Sequence, residues 1–319
     1  MKRITILTTV ALLIFFTFSC KNSNNVSKDP LKGKISISGA FALYPLTVRW
    51  AEEFKKIHPN VTIDVSAGGA GKGMTDALSK MVDLGMYSKS VSPEEKLKGA
   101  WSIAVAKDAV LATISSKNPD LAIIKNKGLT VDKLYDIFIT TNIKNWGAAL
   151  GSNSKETINV YTRSDACGAG EMWAKFLKGK KQEDIEGVGV NGDPGVAEAL
   201  KKDINSIGYN NIAYVYDVNT KKKFEGIEVI PIDLNGNGKI DKEEDFYGDL
   251  SQIIAAIKDG RYPSPPSRDL YFVSQGKPEN PLVKVFLNWI LTDGQKYVTE
   301  AGYVLLKEEN LKPELEKLK

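Results

Sequence analysis

The stretch KISISGAFALYPLTVRWAEEFKKIHPNVTIDVSAGGAGKGMTDALSKMVDLGMYS, residues 34–88, holds two strand-loop-helix units and the strand of a third. Ile35 and Ile37 alternate with serines, as a half-buried strand requires. Leu46, Trp50, Phe54 and Ile57 then recur at helical spacing until Pro59 stops the helix. Val61, Ile63 and Val65 alternate again, a Gly-rich turn follows, and Thr75 to Val82 reads as a second helix before a strand at Asp83 to Met86. Repetition of this order predicts an α/β fold with largely parallel sheets.

The pattern continues outward. A strand around Ile158 to Tyr161 leads into a helix at Glu171 to Leu177, and Leu282, Val285, Phe286, Trp289 and Ile290 form one apolar face of a late helix. Three strand-to-helix loops share a design: Gly39 to Leu43, Gly68 to Gly73, and Cys167 to Gly170. Each presents backbone N–H groups at the positive end of a helix, which is what an anion binds, and Arg163 can add a planar clamp. Gly-rich turns of this kind also occur as plain structure in α/β proteins, so no single one of them defines a site. Gly71-Lys72 is not a phosphate-cradling P-loop, because that motif asks for Ser or Thr where Gly73 stands and for Gly where Ser66 stands. Lone His58, at a helix end beside Pro59, builds no Ser/His/Asp arrangement.

The chain has 319 residues, 42% of them hydrophobic, enough to bury a sizeable core in two domain-sized units. Its 43 basic and 39 acidic residues are too evenly balanced for a nucleic-acid-binding surface. One His and two Cys argue against a multi-His metal enzyme and a disulfide scaffold. Residues 1–20 read as a leader: basic Lys2 and Arg3, an apolar run from Ile4 to Phe18, then Ser19-Cys20. The run is short for a membrane span, and the pattern resembles a bacterial lipoprotein signal in which Cys20 is lipidated. Thr17 and Phe18 depart from that pattern, which leaves cleavage by an ordinary signal peptidase, or an uncleaved anchor, as alternatives. Residues 21–31 are a polar tether, and the folded part is expected at 32–319.

Ser38-Gly39 to Leu46, the Gly-rich loop followed by Val82 to Met86, Leu134 to Trp146, Arg163 to Gly170, Asn205 to Tyr209, and Tyr262-Pro263 to Val273 occur in a specific order. Together they resemble the periplasmic phosphate-binding proteins of phosphate ABC transporters, over about residues 33 to 306. The resemblance implies a type II periplasmic-binding-protein fold of two lobes, roughly 32–107 with 225–319 and 108–224, closing on a ligand without catalysis. It implies phosphate or a related tetrahedral oxyanion as ligand, ABC permease subunits as partners, and ligand residues Ala40, Phe41, Ala42, Gly69, Ala70, Gly71, Ser88, Arg163, Cys167, Gly168 and Ala169. Arg163 and Gly168 match the family. Ala40, Phe41, Ala42, Ala70, Cys167 and Ala169 stand where its members usually have hydroxyls, and Ser88 aligns near a position where some have an acidic acceptor.

Apart from that resemblance, Asp233 to Glu244 matches the twelve-residue EF-hand loop at positions 1, 3, 5, 6, 8, 9 and 12. Its oxygen donors are Asp233, Asn235, Asn237, the Lys239 carbonyl, Asp241 and Glu244, a set suited to structural calcium, with the exiting helix expected at Phe246 to Ile257. The bland alternative is an acidic Asn/Gly-rich turn. The overall expectation is an extracytoplasmic, lipid-tethered solute-binding protein that is not an enzyme. Two alternatives stand beside it: a binding or sensing module that kept the fold but lost phosphate binding, and an enzyme using Cys167 as nucleophile at a helix N-terminus, for which no histidine partner is in sequence reach.

Overall fold

The computed structural model describes residues 31–319; the leader, Cys20 and most of the tether lie outside them. In chain order the elements are β1 (Gly33–Gly39), α1 (Tyr44–Ile57), β2 (Val61–Ala67), α2 (Ala70–Leu78), β3 (Leu84–Tyr87), α3 (Pro93–Leu97) and β4 (Ala100–Ser115). Then come α4 (Leu121–Lys127), α5 (Val131–Phe138), α6 (Trp146–Leu150), β5 (Asn159–Arg163), α7 (Gly168–Phe176), β6 (Val188–Val190), α8 (Gly192–Lys202), β7 (Ser206–Asn211) and β8 (Ile227–Val229). The chain closes with α9 (Leu250–Asp259), β9 (Ser267–Gln275), α10 (Pro281–Leu291), α11 (Lys296–Glu300) and α12 (Glu308–Glu316).

The opening units form as their periodicity dictates. β1 runs parallel to β2 and to β3, and α1 buries Leu46, Trp50 and Phe54 on one face while Ile57 turns out to solvent. Pro45 near the start of α1 and Lys55 and Lys56 in its last turn suit the helix's two ends. α2 begins at Ala70, inside the Gly-rich stretch, rather than at Thr75. Packing explains the early start. A Cβ on Gly73 would sit 2.5 Å from the Met86 carbonyl oxygen, so glycine lets the first turn of α2 lie directly on β3 despite its low helix propensity. α7 likewise starts at Gly168, ahead of Glu171.

The sheet is mixed, not largely parallel. Its order is β2-β1-β3-β9-β4-β7-β5-β6, with β8 also paired to β4. β9 is antiparallel to β3 and β4, and β4 is antiparallel to β7 and β8. β4, 16 residues long, carries an almost unbroken buried run and is shared by two hydrophobic cores. One core takes residues from Ile35 to Ala106 and from Leu270 to Tyr303; the other takes those from Ala109 to Tyr262. Segment 227–262, assigned from sequence to the first lobe, therefore belongs to the second: β8 pairs with Thr113 to Ser115, and Leu250, Ile253 and Ala256 of α9 pack there. The chain returns to the first lobe at β9. In the late helix α10, Leu282, Phe286, Trp289 and Ile290 are buried, while Val285 is exposed. No helix of the described residues is long and apolar enough to cross a membrane.

Candidate functional site

The three loops meet where the two cores face each other. In the first, the Ala40 N–H donates to the Met86 carbonyl at 2.9 Å. The Phe41 and Ala42 carbonyls accept from the hydroxyls of Tyr214 at 3.2 Å and Tyr303 at 2.8 Å. In the second loop the Gly68 and Gly69 amides both donate to the Gly39 carbonyl, at 2.9 and 3.0 Å. The Gly71 amide crosses to the other lobe and donates to the Ala166 carbonyl at 3.0 Å. Gly69, at φ +91°, is close against Asp165: a Cβ there would lie 2.7 Å from Oδ2. Gly168 faces Ser88 just as closely, so the lobes touch on both sides of the cleft.

Arg163 ends β5 at the centre of this junction, its side chain only 1% exposed. Nε and Nη2 donate to Asp165 at 2.7 and 2.5 Å, and Nη1 donates to Asp193 at 2.6 Å. The Phe41 ring lies over the guanidinium, 5.2 Å from centroid to Cζ. Burial opposes the charge of Arg163, but Asp193 and Asp165 outweigh it and hold the group firmly protonated. Burial raises and Arg163 lowers the Asp165 pKa, and the net direction is down. A guanidinium has five N–H donors. Asp165 and Asp193 take three, leaving one on each terminal nitrogen.

Cys167 caps α7: its Sγ accepts from the Gly170 amide at 3.2 Å, and its own N–H donates to Gln182 Oε1 at 2.9 Å. Burial pushes this thiol up to about 11, with Arg163 opposing, so the side chain is a protonated cap and not a thiolate. Gly168 and Ala169 occupy the first turn of α7, where a helix supplies no acceptors for its own amides. The structure thus brings together Phe41, Gly69, Gly71, Ser88, Arg163, Cys167 and Gly168, with Ala40, Ala42, Ala70 and Ala169 in the same loops. Each of these four alanines is buried and apolar where a hydroxyl was the family expectation.

The sequence reading missed the partners of Arg163. Asp165 stands two residues on, a spacing that could have signalled it; Asp193, 30 residues away, left no local trace. Asp193 is fully buried and also accepts from the Asn211 amide and side chain, both at 2.8 Å. Asn211 Oδ1 in turn accepts from Arg268 Nη2, and Arg268 Nη1 lies 3.4 Å from Asp108. This polar chain runs from the cleft into the strands that connect the lobes.

In the acidic loop, Asp233 accepts from the Gly236 and Gly238 amides at 2.8 and 2.9 Å, and Glu244 Oε1 accepts from Leu234 and Asn235 at 2.8 and 3.1 Å. Asn235 and Asn237 donate to Asp241, which also pairs with Lys239 at 2.8 Å. The helix after the loop starts at Leu250, later than Phe246. Among the described residues no three His, Cys, Asp or Glu side chains are grouped to hold a metal.

A model of the "PBP superfamily domain" matches residues 24–294. The chain is 25% identical over 296 residues to the phosphate-binding protein PstS of Staphylococcus haemolyticus, covering 91% of this chain and 86% of that protein. It is 26% identical over 301 residues to PstS of Pseudomonas aeruginosa, covering 86% and 84%. Among solved structures, a phosphate ABC transporter substrate-binding protein from Clostridium perfringens with bound phosphate superposes at a TM-score of 0.70 with 24% identity, covering 86% of this chain and all of that one. A high-affinity periplasmic phosphate-binding protein, PfluDING, gives 0.69 with 14% identity, covering 88% and 92%. These structural likenesses carry the two-lobed type II fold.

Proposed function

This chain belongs to the PBP superfamily, and on that premise we propose that it is an extracytoplasmic solute-binding protein that captures phosphate or a related tetrahedral oxyanion for an ABC importer. The observation that carries the reading is Arg163: buried between the lobes, fixed by two carboxylates, with two N–H donors still free beside the first turn of α7. An oxyanion there is held by a charge-assisted fork and by helix amides. Closure follows from the same contacts, since the Gly71 to Ala166 hydrogen bond joins the lobes while β4 and the return at β9 connect them as a hinge. The activity is binding and not catalysis; the relatives are named as binding proteins, and a thiol held near 11 is no nucleophile. Ligand-free protein tested by thermal shift against phosphate, sulfate, molybdate and arsenate decides the reading. A rise in melting temperature supports capture, and no rise with any anion sinks it.

The loss of hydroxyls favours one second reading, a binding or sensing module on the same fold that no longer takes phosphate. In that case the permease subunits are not its partners, and the anion screen is silent.

Two further features complete the proposal. Cys20 lies outside the described residues; lipidation there tethers the protein to the membrane, and Cys20→Ala then releases it from the membrane fraction or leaves the precursor uncleaved. The loop from Asp233 to Glu244 holds structural calcium through Asp233, Asn235, Asn237, the Lys239 carbonyl, Asp241 and Glu244. The donor spacing and the positive φ of Gly236 and Gly238 support this, and turning the two asparagine amides over presents their oxygens to the ion. Calcium at about ten times a dissociation constant raises stability by ~1.4 kcal/mol. Glu244→Gln should remove that gain, and a melting curve indifferent to both calcium and chelator reduces the loop to a turn.

A further inference from the structure

Resting on the proposed oxyanion capture, we infer that the cleft selects a tetrahedral oxyanion carrying one carbon substituent, of the phosphonate class, over inorganic phosphate. A tetrahedral ligand has four corners to satisfy. Two oxygens take the two N–H donors that Asp165 and Asp193 leave free on Arg163. A third takes the amides at the start of α7, where Gly168 and Ala169 have no intrahelical acceptors. For the fourth corner the surroundings offer carbon. The Phe41 ring lies over the guanidinium and also abuts Gly192, where a Cβ would stand 2.8 Å from Cζ of that ring. Ala40, Ala42 and Ala70 are buried in the core of the first lobe and offer this corner no hydroxyl. Ser88 is the one hydroxyl among the loop positions expected to bind, and it is pressed against Gly168.

Charge sets the form in which the ligand is held. Arg163 contributes one positive charge, and its fixed partners Asp165 and Asp193 contribute two negative ones, both close and one fully buried. A second ligand charge is therefore opposed by the cleft's own carboxylates, so either anion is taken in its singly charged form and the fourth substituent is left to decide between them. A polar fourth corner against Phe41 also loses its water without gaining a donor, a penalty for which an apolar wall discriminates by roughly 10–100-fold.

Phe41 is held in place for this role. Its carbonyl accepts from Tyr214 and the next one from Tyr303, so the loop is pinned from the hinge side while the ring reaches across to the other lobe. Phe41 is thus the residue that sets specificity, by shape and by withholding a hydroxyl.

The experiment compares methylphosphonate with inorganic phosphate by titration calorimetry on the mature chain at constant ionic strength. The expected result is methylphosphonate binding about tenfold tighter, equivalent to about 1.4 kcal/mol. Phosphate binding as tightly or tighter overturns the selectivity while leaving oxyanion capture standing. If neither anion binds, the selectivity fails, and the four-anion thermal-shift screen shows whether oxyanion capture fails with it. Phe41→Thr, with its fold checked by its melting transition, should shift the ratio toward phosphate; Ala42→Ser, a smaller change, should shift it in the same direction. Ratios unchanged in both variants overturn the assignment to this loop.

Discussion

Two buried arginines stand at the two ends of one polar chain, and they are built differently. Arg163 makes three hydrogen bonds of 2.5–2.7 Å to two carboxylates, and an aromatic ring covers it. Arg268 is as deeply buried, yet its Nη1 meets Asp108 only at 3.4 Å, too far for a hydrogen bond with good geometry, and its other donors go to Asn211 and the Ser88 carbonyl. The first arrangement fixes a guanidinium so that its two remaining donors need no further ordering to meet an anion, which is preorganisation. The second is a loose ion pair at the point where β4 passes from one core to the other, between Ala106 and Ala109. A site must be rigid, while a hinge must tolerate two arrangements.

The largest expected effect tests the rigid end. Asp193→Ala strips Arg163 of one partner and leaves the Asn211 amide unpaired, so it should cost about 3–5 kcal/mol of stability, the range for breaking a buried pair. Denaturant unfolding measures it. A loss under about 0.5 kcal/mol, typical of surface changes, would place Asp193 outside the network that holds Arg163. The same variant frees one more donor on Arg163, so a tighter anion affinity in a less stable protein is the combined signature.

Next comes Arg163 itself. Arg163→Ala should weaken oxyanion binding by about 2–5 kcal/mol, the range for truncating a buried charge partner. Arg163→Lys should recover little, since an ammonium lacks the planar fork that Asp165 and the ligand share. Equal affinities in wild type and Arg163→Ala would break the comparison, because the preorganised arginine would then serve no ligand.

How much of this was legible beforehand differs between the two ends. The first two α/β units, the three loops and Arg163 could be read because alternation, helical spacing and Gly-rich turns are local signals. The early starts of α2 and α7 could not, since the glycines at those positions argue against a helix until the close approach to β3 or to Ser88 is known. β4 was invisible as a shared strand: a long buried run does not announce that its two halves serve different cores. Its antiparallel pairing with β9 is likewise a matter of contacts far apart in sequence. Asp108, Asn211 and Arg268 meet only through that topology, so the hinge end was unreadable.

The two arginines also differ in their response to acid. Asp165 has a depressed pKa, so its contribution is present above the unfolded value and is lost as pH falls through the folded one. Asp108 behaves oppositely. Burial, only partly offset by Arg268, raises it to about 6, with Asp193 adding to the rise and the Ala109 and Ile212 amides opposing it. Between its unfolded value, about 3.9, and the folded one, the native protein binds more protons than the unfolded chain, so this group's contribution to stability falls as pH climbs through that window. The expected size is on the order of 3 kcal/mol. Other carboxylates titrate across the same range, so the measurement is the difference between wild type and Asp108→Asn in urea unfolding at several pH values from about 4 to 7. Asn keeps the shape and removes the proton equilibrium. The wild-type stability should therefore decline relative to the variant as pH rises to about 6, and then run level with it. Parallel curves across the range would mean that Asp108 is held as an ordinary ionised partner of Arg268, and that the hinge end is built as tightly as the site.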